Sequence, residues 1–306
     1  MRSIHYGCKG ILLFVVLVYA NTVSSAANPS KDKAFVLMGS TPGDSLIKTM
    51  LSIPTQTAID FIKWNLAFEQ NNVFVLDIVF GVSQPNTLGF KAGGIKKTIR
   101  GKYMVTGNGS PKYGKEIYQL KSADGQGRLS LIKISEHSFH LLAPDGTLLN
   151  GNGGWSYSLN RKDPVGGNEI LIHTAALKEN GTQVIYDGRT PCREIAAEHP
   201  EMKVSAACFK LKWQLILNRD AVTYKPTSFS IRKIIDGKAQ HVTGKWIIRK
   251  GTGARAGQTI YTIEPDKPGA SISFLVADDN ILFFLNKDDQ PYIGNADFSF
   301  VLNRKS

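Results

Sequence analysis

The chain is poor in the residues that bind metals and carry thiol chemistry. Its 306 residues include only three cysteines, six histidines and five methionines. A zinc or copper centre needs three or four such ligands converging on one point. His137 and His140 are three apart in a stretch that reads as strand, so they point to opposite faces. His173, His199 and His241 are scattered singly. No metal and no cofactor is therefore expected. Catalytic signatures are missing as well: no G-x-S-x-G elbow, no H-E-x-x-H, no P-loop and no G-x-G-x-x-G after a strand. Gly107-Asn108-Gly109 and Gly151-Asn152-Gly153-Gly154 lie between strands, where glycines make tight hairpins. Nothing marks an enzyme. Sustained helical periodicity is absent, as is any low-complexity tract. The formal net charge is +12, yet the cations come singly and form no Lys/Arg block, so nucleic acid is not an expected partner. Contact with an anionic envelope surface fits this balance.

The one apolar run of note is Ile11 to Ala20, preceded by Arg2 and Lys9 and followed by Ser25-Ala26-Ala27. It is too short to span a bilayer and has the layout of a secretory signal cut near Ala27; an uncleaved anchor is the alternative. Cys8 precedes the apolar run, so it cannot be the lipidated cysteine of a lipoprotein. The expected setting is periplasmic or secreted. Cys192 and Cys208 alone would remain in the mature chain. An isolated pair in an oxidising compartment reads as a disulfide worth roughly 3 kcal/mol; a redox or metal pair lacks the C-x-x-C spacing.

The chain contains itself twice. Arg100 to Lys162 lies on Thr243 to Lys305 without a gap at an offset of about 143. Gly101-Lys102-Tyr103 falls on Gly244-Lys245-Trp246, and Leu159-Asn160-Arg161-Lys162 on Leu302-Asn303-Arg304-Lys305. Upstream the offset becomes about 149, placing Gly39 to Gly43 on Gly188 to Cys192 and Lys63-Trp64 on Lys212-Trp213, with one short length change between. Gly43 and Ile59 then stand where the second copy has Cys192 and Cys208, so both cysteines are absent together from the first copy.

Short runs rich in Val, Ile, Phe, Tyr and Trp, punctuated by Gly, Asn, Asp and Pro, read as strands. They include 61–68, 73–80, 99–105, 117–120, 129–134, 138–142 and 155–159, with counterparts at 210–217, 228–235, 245–249, 260–263, 271–276, 281–285 and 298–302. Ala143-Pro144-Asp145-Gly146-Thr147 is a turn, rebuilt as Asn286 to Asp289. Asp44 to Leu51 and Arg193 to His199 are helix candidates that would close one end of each sheet. The fold class is all-β. Two tandem antiparallel up-and-down barrels of the lipocalin-like kind remove exposed edges most economically, with an open sandwich as competitor. The expected organisation is a signal over 1–27, a first barrel over 28–163, a linker over 164–183 with a candidate strand at Ile170-Leu171-Ile172, and a second barrel over 184–306. Each copy is expected to fold alone.

Paired aromatics are the candidate ligand-lining residues: Trp64 with Trp213, Tyr103 with Trp246, Trp155 with Phe298, and Tyr157 with Phe300. They either fill the barrels as core or line a cavity for one small ligand. On strands, Trp155 and Tyr157 would share a side, as would Phe298 and Phe300.

Tyr186-Asp187-Gly188-Arg189-Thr190-Pro191-Cys192, the strand Lys210 to Leu217, the later Thr243-Gly244-Lys245-Trp246 and the closing Phe300-Val301-Leu302-Asn303-Arg304 resemble NlpE-type envelope proteins, often labelled copper resistance proteins. The resemblance implies a lipocalin-like barrel in the bacterial envelope, in a family linked to adhesion sensing, envelope stress and metal response. NlpE-type proteins carry a lipidation site and a Cys-x-x-Cys in this element; here Cys192 is followed by Arg193-Glu194-Ile195, so copper binding is not carried over. The sequence thus points to an exported, non-enzymatic binding or sensing protein acting on an envelope component. A carrier of a small lipophilic ligand is the alternative, and a hydrolase of envelope polymers ranks last.

Overall fold

The computed structural model describes residues 34–107, 113, 116–175, 177, 181–266 and 269–305. The expected signal over 1–27, with Cys8, lies outside them, as do Asn108 and Gly109. The first barrel comprises β1 (Phe35–Pro42), β2 (Phe61–Glu69), β3 (Val73–Gly81), β4 (Ile95–Thr106), β5 (Ile117–Ser122), β6 (Arg128–Lys133), β7 (Ser138–Leu142) and β8 (Ser158–Arg161). The second comprises β9 (Gln183–Thr190), β10 (Leu211–Arg219), β11 (Pro226–Ile235), β12 (Lys238–Lys250), β13 (Thr259–Pro265), β14 (Ile272–Val276), β15 (Ile281–Leu285) and β16 (Val301–Arg304). Each set closes into an eight-stranded antiparallel barrel, β8 returning to β1 and β16 to β9. Closure leaves no edge to pair with other chains.

The opening strands β1 and β9 are absent from the strand runs read in sequence, because Gly39-Ser40-Thr41-Pro42 and Asp187-Gly188-Arg189-Thr190 look like turns. Their glycines serve close approach instead. A Cβ on Gly39 would sit 2.9 Å from Leu159 of β8, and one on Gly188 2.7 Å from Leu302 of β16. The last strands also begin later than expected, at Ser158 and Val301. Asn152 Oδ1 accepts from the backbone N–H groups of Gly154 and Trp155, and Asn295 Oδ1 from those of Asp297 and Phe298. These side-chain turns hold 152–155 and 295–298 out of the ladder.

Helices α1 (Ser45–Met50) and α2 (Arg193–Glu198) follow the Thr-Pro pairs and cap one end of each barrel. Asp44 caps α1 by accepting from the Ile47 N–H, and Ile47 and Met50 join the first core. Trp64 donates its indole N–H to Thr41 Oγ1, and Trp213 does the same to Thr190 Oγ1, each at 2.8 Å. The shared Thr-Pro and Trp of the two copies are therefore one buried hydrogen bond made twice. Cys192 and Cys208 form a disulfide that closes the loop carrying α2. A Cβ on Gly43 would lie 2.2 Å from Ile59 Cγ2, so an apolar contact fills the same place in the first barrel.

A third cluster of buried residues belongs to neither barrel alone. It joins Ile117, Ile132, Ile134, Leu142 and Leu148 of the first to Ile260, Leu275, Ala277, Ile281, Phe283, Leu285 and Val301 of the second. Most of these positions are equivalents at the offset of about 143, so the two barrels meet through the same face. Polar contacts repeat the symmetry: Asn303 Oδ1 accepts from the Gly151 N–H at 2.8 Å, and Asn160 Oδ1 from the Gly294 N–H at 2.9 Å. The arrangement is that of an isologous dimer within one chain. Described residues of the expected linker make contacts at this interface. Ile170 bridges Ser135 but extends no strand, Thr174 Oγ1 donates to the Val276 carbonyl, and the Ala175 N–H to that of Ala277.

His140 of β7 faces this interface, fully buried against Phe283, its equivalent in the second copy. Its Nε2 lies 2.8 Å from the Leu149 carbonyl, which can only accept, so Nε2 carries the proton and Nδ1 accepts from the Ser158 hydroxyl. Burial pushes its pKa down to about 4. The unfolded chain therefore binds a proton below about 6.5 that the folded chain refuses, and stability is lost as pH falls from there towards 4. Urea unfolding should give a stability about 2 kcal/mol lower at pH 5 than at pH 7 from this group alone. His137 shifts in the same direction through burial. His140→Phe should flatten the slope; an unchanged slope would discount the buried neutral imidazole.

Candidate functional site

Seven of the eight candidate aromatics are buried. Trp64, Tyr103 and Tyr157 belong to the first core, and Trp213, Trp246 and Phe300 to the second. Phe298 is buried beside the gap between the barrels. Trp155 alone is half-buried. The expected pairing of Trp155 with Tyr157 on one side fails because the Asn152 turn, not a strand, sets their directions. Tyr157 points inward to hydrogen-bond Asp44, which with burial raises its pKa, whereas Trp155 points between the barrels. Phe298 and Phe300 separate in the same way.

Trp155 is the centre of a stack. Its ring lies 4.7 Å from that of Phe61 at 6°, and Phe61 lies 4.2 Å from Phe90. On Trp155 sits the guanidinium of Arg189 from the second barrel, 5.1 Å from the ring centroid, a cation–π contact across the interface. Two adjoining cavities of about 340 and 190 Å³ share Trp155 and Arg189 and together make one cleft. Lys212 and Arg232 line one cavity and Lys210 the other.

The internal symmetry defines what is unusual in this cleft. At the symmetry-equivalent position Lys63 forms a 2.7 Å ion pair with Asp297, which itself borders the smaller cavity, and Ser40 donates to the Ala296 carbonyl. Here Lys212 stands for Lys63, but Gly154 stands for Asp297 and Arg189 for Ser40. One acid is gone and one cation is added. Asp187 is the one carboxylate among the lining residues of the larger cavity, and it accepts from Gln214. Burial lowers the pKa of Arg189; Lys210 is lowered by burial and then by the positive charges of Arg189 and Lys212. With Asp297 included, the cleft gathers four cations, Arg189, Lys210, Lys212 and Arg232, against two carboxylates that already have partners.

No protein-family model, curated protein or solved structure matches this chain. Among the described residues no three of His, Cys, Asp and Glu converge as a metal-holding group. His137 and His140 are both buried, but the Nε2 and Nδ1 of His140 are spent on Leu149 and Ser158. Sequence reasoning singled out Trp155 but passed over Arg189, Lys212 and Gly154. The change from Asp297 to Gly154 is visible in the gapless repeat, but that this acid is the partner of Lys63 shows only in the folded chain.

Proposed function

We propose that this is an exported, non-enzymatic binding protein of the cell envelope that holds an anionic polymer in the cleft between its two barrels. The observation that carries the reading is the replacement of the Asp297 and Ser40 pair by Gly154 and Arg189 at the symmetric position. The guanidinium of Arg189 is partly desolvated and stands near Lys212, and a carboxylate or phosphate from outside would accept from both. The two cavities share Trp155 and Arg189, so a chain of charged sugars could reach both where a compact ion would fill one. Export rests on the N-terminal sequence and agrees with a disulfide, a bond suited to oxidising compartments. The kinship with NlpE-type proteins rests on the residues quoted above and supplies the envelope setting.

The test compares dextran sulfate with neutral dextran by titration calorimetry at low salt. Dextran sulfate should bind and neutral dextran should not. Gly154→Asp restores the internal acid beside Arg189 and should weaken binding about tenfold or more, as should Arg189→Ser. Equal binding by Gly154→Asp and the parent would reduce the interaction to the overall charge and remove the cleft from the reading.

A further inference from the structure

Lys233 lies inside the second barrel, and its position is marked by register. On β2 and β3 of the first barrel Trp64 pairs with Ile78, and on β10 and β11 of the second Trp213 pairs with Lys233. The same frame is fixed by Phe74 and Phe229, which pack against the equivalent glycines Gly101 and Gly244. Where one barrel buries an isoleucine at 1 % exposure, the other buries a lysine at 6 %.

An ammonium in a barrel wall needs a partner, and this one has little. Lys233 donates no hydrogen bond to any described residue. Its amine lies 5.9 Å from the Trp213 ring centroid, at the outer limit of a cation–π contact. Glu201, on the short turn 200–202 after α2, acts on it only at a distance and is itself exposed. The side chain borders a cavity of about 360 Å³ at the capped end of the barrel. Met202, Ile231, Val242, Ile263 and Ile272 supply its apolar wall. The other ionisable groups bordering it are His241 and Asp266, and Asp266 accepts from Thr243 Oγ1. Burial lowers the lysine pKa, partly offset by Glu201.

We infer that this cavity is a second binding site, for a small anionic amphiphile such as a medium-chain carboxylate, with the head group on Lys233 and the alkyl chain against the isoleucines. A neutral lipophile would leave the amine unpaired; a carboxylate satisfies it with a charge-assisted hydrogen bond, worth more in the barrel than in water. The volume lies near the lower end of the usual range for ligand pockets, about 300–1,000 Å³, so the chain is short. Glu201 and Asp266 stand at the rim, where solvent screens their repulsion. The site lies within one barrel and shares no lining residue with the cleft, although Trp213, near the Lys233 amine, also borders the larger cleft cavity.

The probes are decanoate and decanol, titrated into the full-length mature protein and followed by calorimetry and tryptophan fluorescence. Decanoate should bind at one site per chain, at least about tenfold more tightly than decanol. Lys233→Ile, which installs the first-barrel residue, should abolish that preference. Lys233→Met serves as a second variant if the branched side chain does not pack. Arg189→Ser, in the cleft, should leave decanoate binding unchanged. Failure of the parent to bind decanoate, equal affinity for the two probes, or decanoate binding that survives both Lys233 variants would overturn the proposal. Loss through Arg189→Ser alone would assign decanoate to the cleft instead.

Discussion

Phe283→Ala is expected to cost about 3–5 kcal/mol and to split one unfolding transition into two. The ring is 3 % exposed, contacts His140 across the interface, and sits amid the third cluster between Leu275, Ile281 and Val301. Neither barrel needs Phe283 to close, since Leu282 and Phe284 on the same strand face inward and complete the second core. The loss therefore falls on the contact between barrels, which is what makes the chain unfold as a unit. The same argument bears on separating the copies. Fragments 28–163 and 184–306 keep closed barrels of their own, but each would expose half of an apolar, self-complementary face. They should show β-type circular dichroism and associate, whereas Phe283→Asp in fragment 184–306 should leave it monomeric. Calorimetry and sedimentation read both effects; a single undisturbed transition in Phe283→Ala would mean that the interface contributes little.

The second large effect is loss of the disulfide. Replacing Cys192 and Cys208 together by alanine should cost about 3 kcal/mol, the value for closing a loop of this length. The bond ties the start of α2 to the approach to β10, beside Ile195 and Met202, which are fully buried beneath the cap. The loss should be confined to the second barrel, and protection of β10 and β11 amides from hydrogen exchange should fall before that of β2 and β3. Cys192→Gly with Cys208→Ile rebuilds the Gly43–Ile59 contact of the first copy and should recover part of the loss. Two alkylatable thiols in the untreated mature protein would remove the premise.

Much of the fold was open to reading because hydrophobic alternation and turn chemistry are local. The Pro144-Asp145-Gly146 turn forms as expected, with Gly146 at φ 79° and Asp145 Oδ1 accepting from the Thr147 N–H. β7 and β15 have the expected ends, as the compact apolar runs Ser138–Leu142 and Ile281–Leu285 suggest. The equivalence of β3 and β11 was open as well, since the runs 73–80 and 228–235 match at one offset although the repeat shifts on both sides of them. The β10–β11 connection is longer than that between β2 and β3, while the long loop from Gly81 to Ile95 is cut to the tight Asp236-Gly237 turn, both residues at positive φ. The second change outweighs the first, so together they read as one short length change. The aligned runs already set Lys233 on Ile78; what the tertiary structure adds is the cavity beside it.

By itself, the sequence determined that there are two copies, that each is a β-structure with a short capping helix, and that one copy carries a cysteine pair. These follow from periodicity and spacing along the chain, which need no knowledge of what lies opposite. The tertiary structure decided which outer face is buried. Ile281, Phe283 and Leu285 alternate with Leu282 and Phe284, and no local rule says that both faces of that strand are covered, though its unbroken apolar run is the pattern of a strand buried on two sides. It also decided which charges lack partners. Lys63 and Asp297 are 234 residues apart and meet only when the barrels dock, so the missing acid at Gly154 has meaning only against that contact. Pairing of this kind is set by the docking of two surfaces, and distance along the chain carries no record of it.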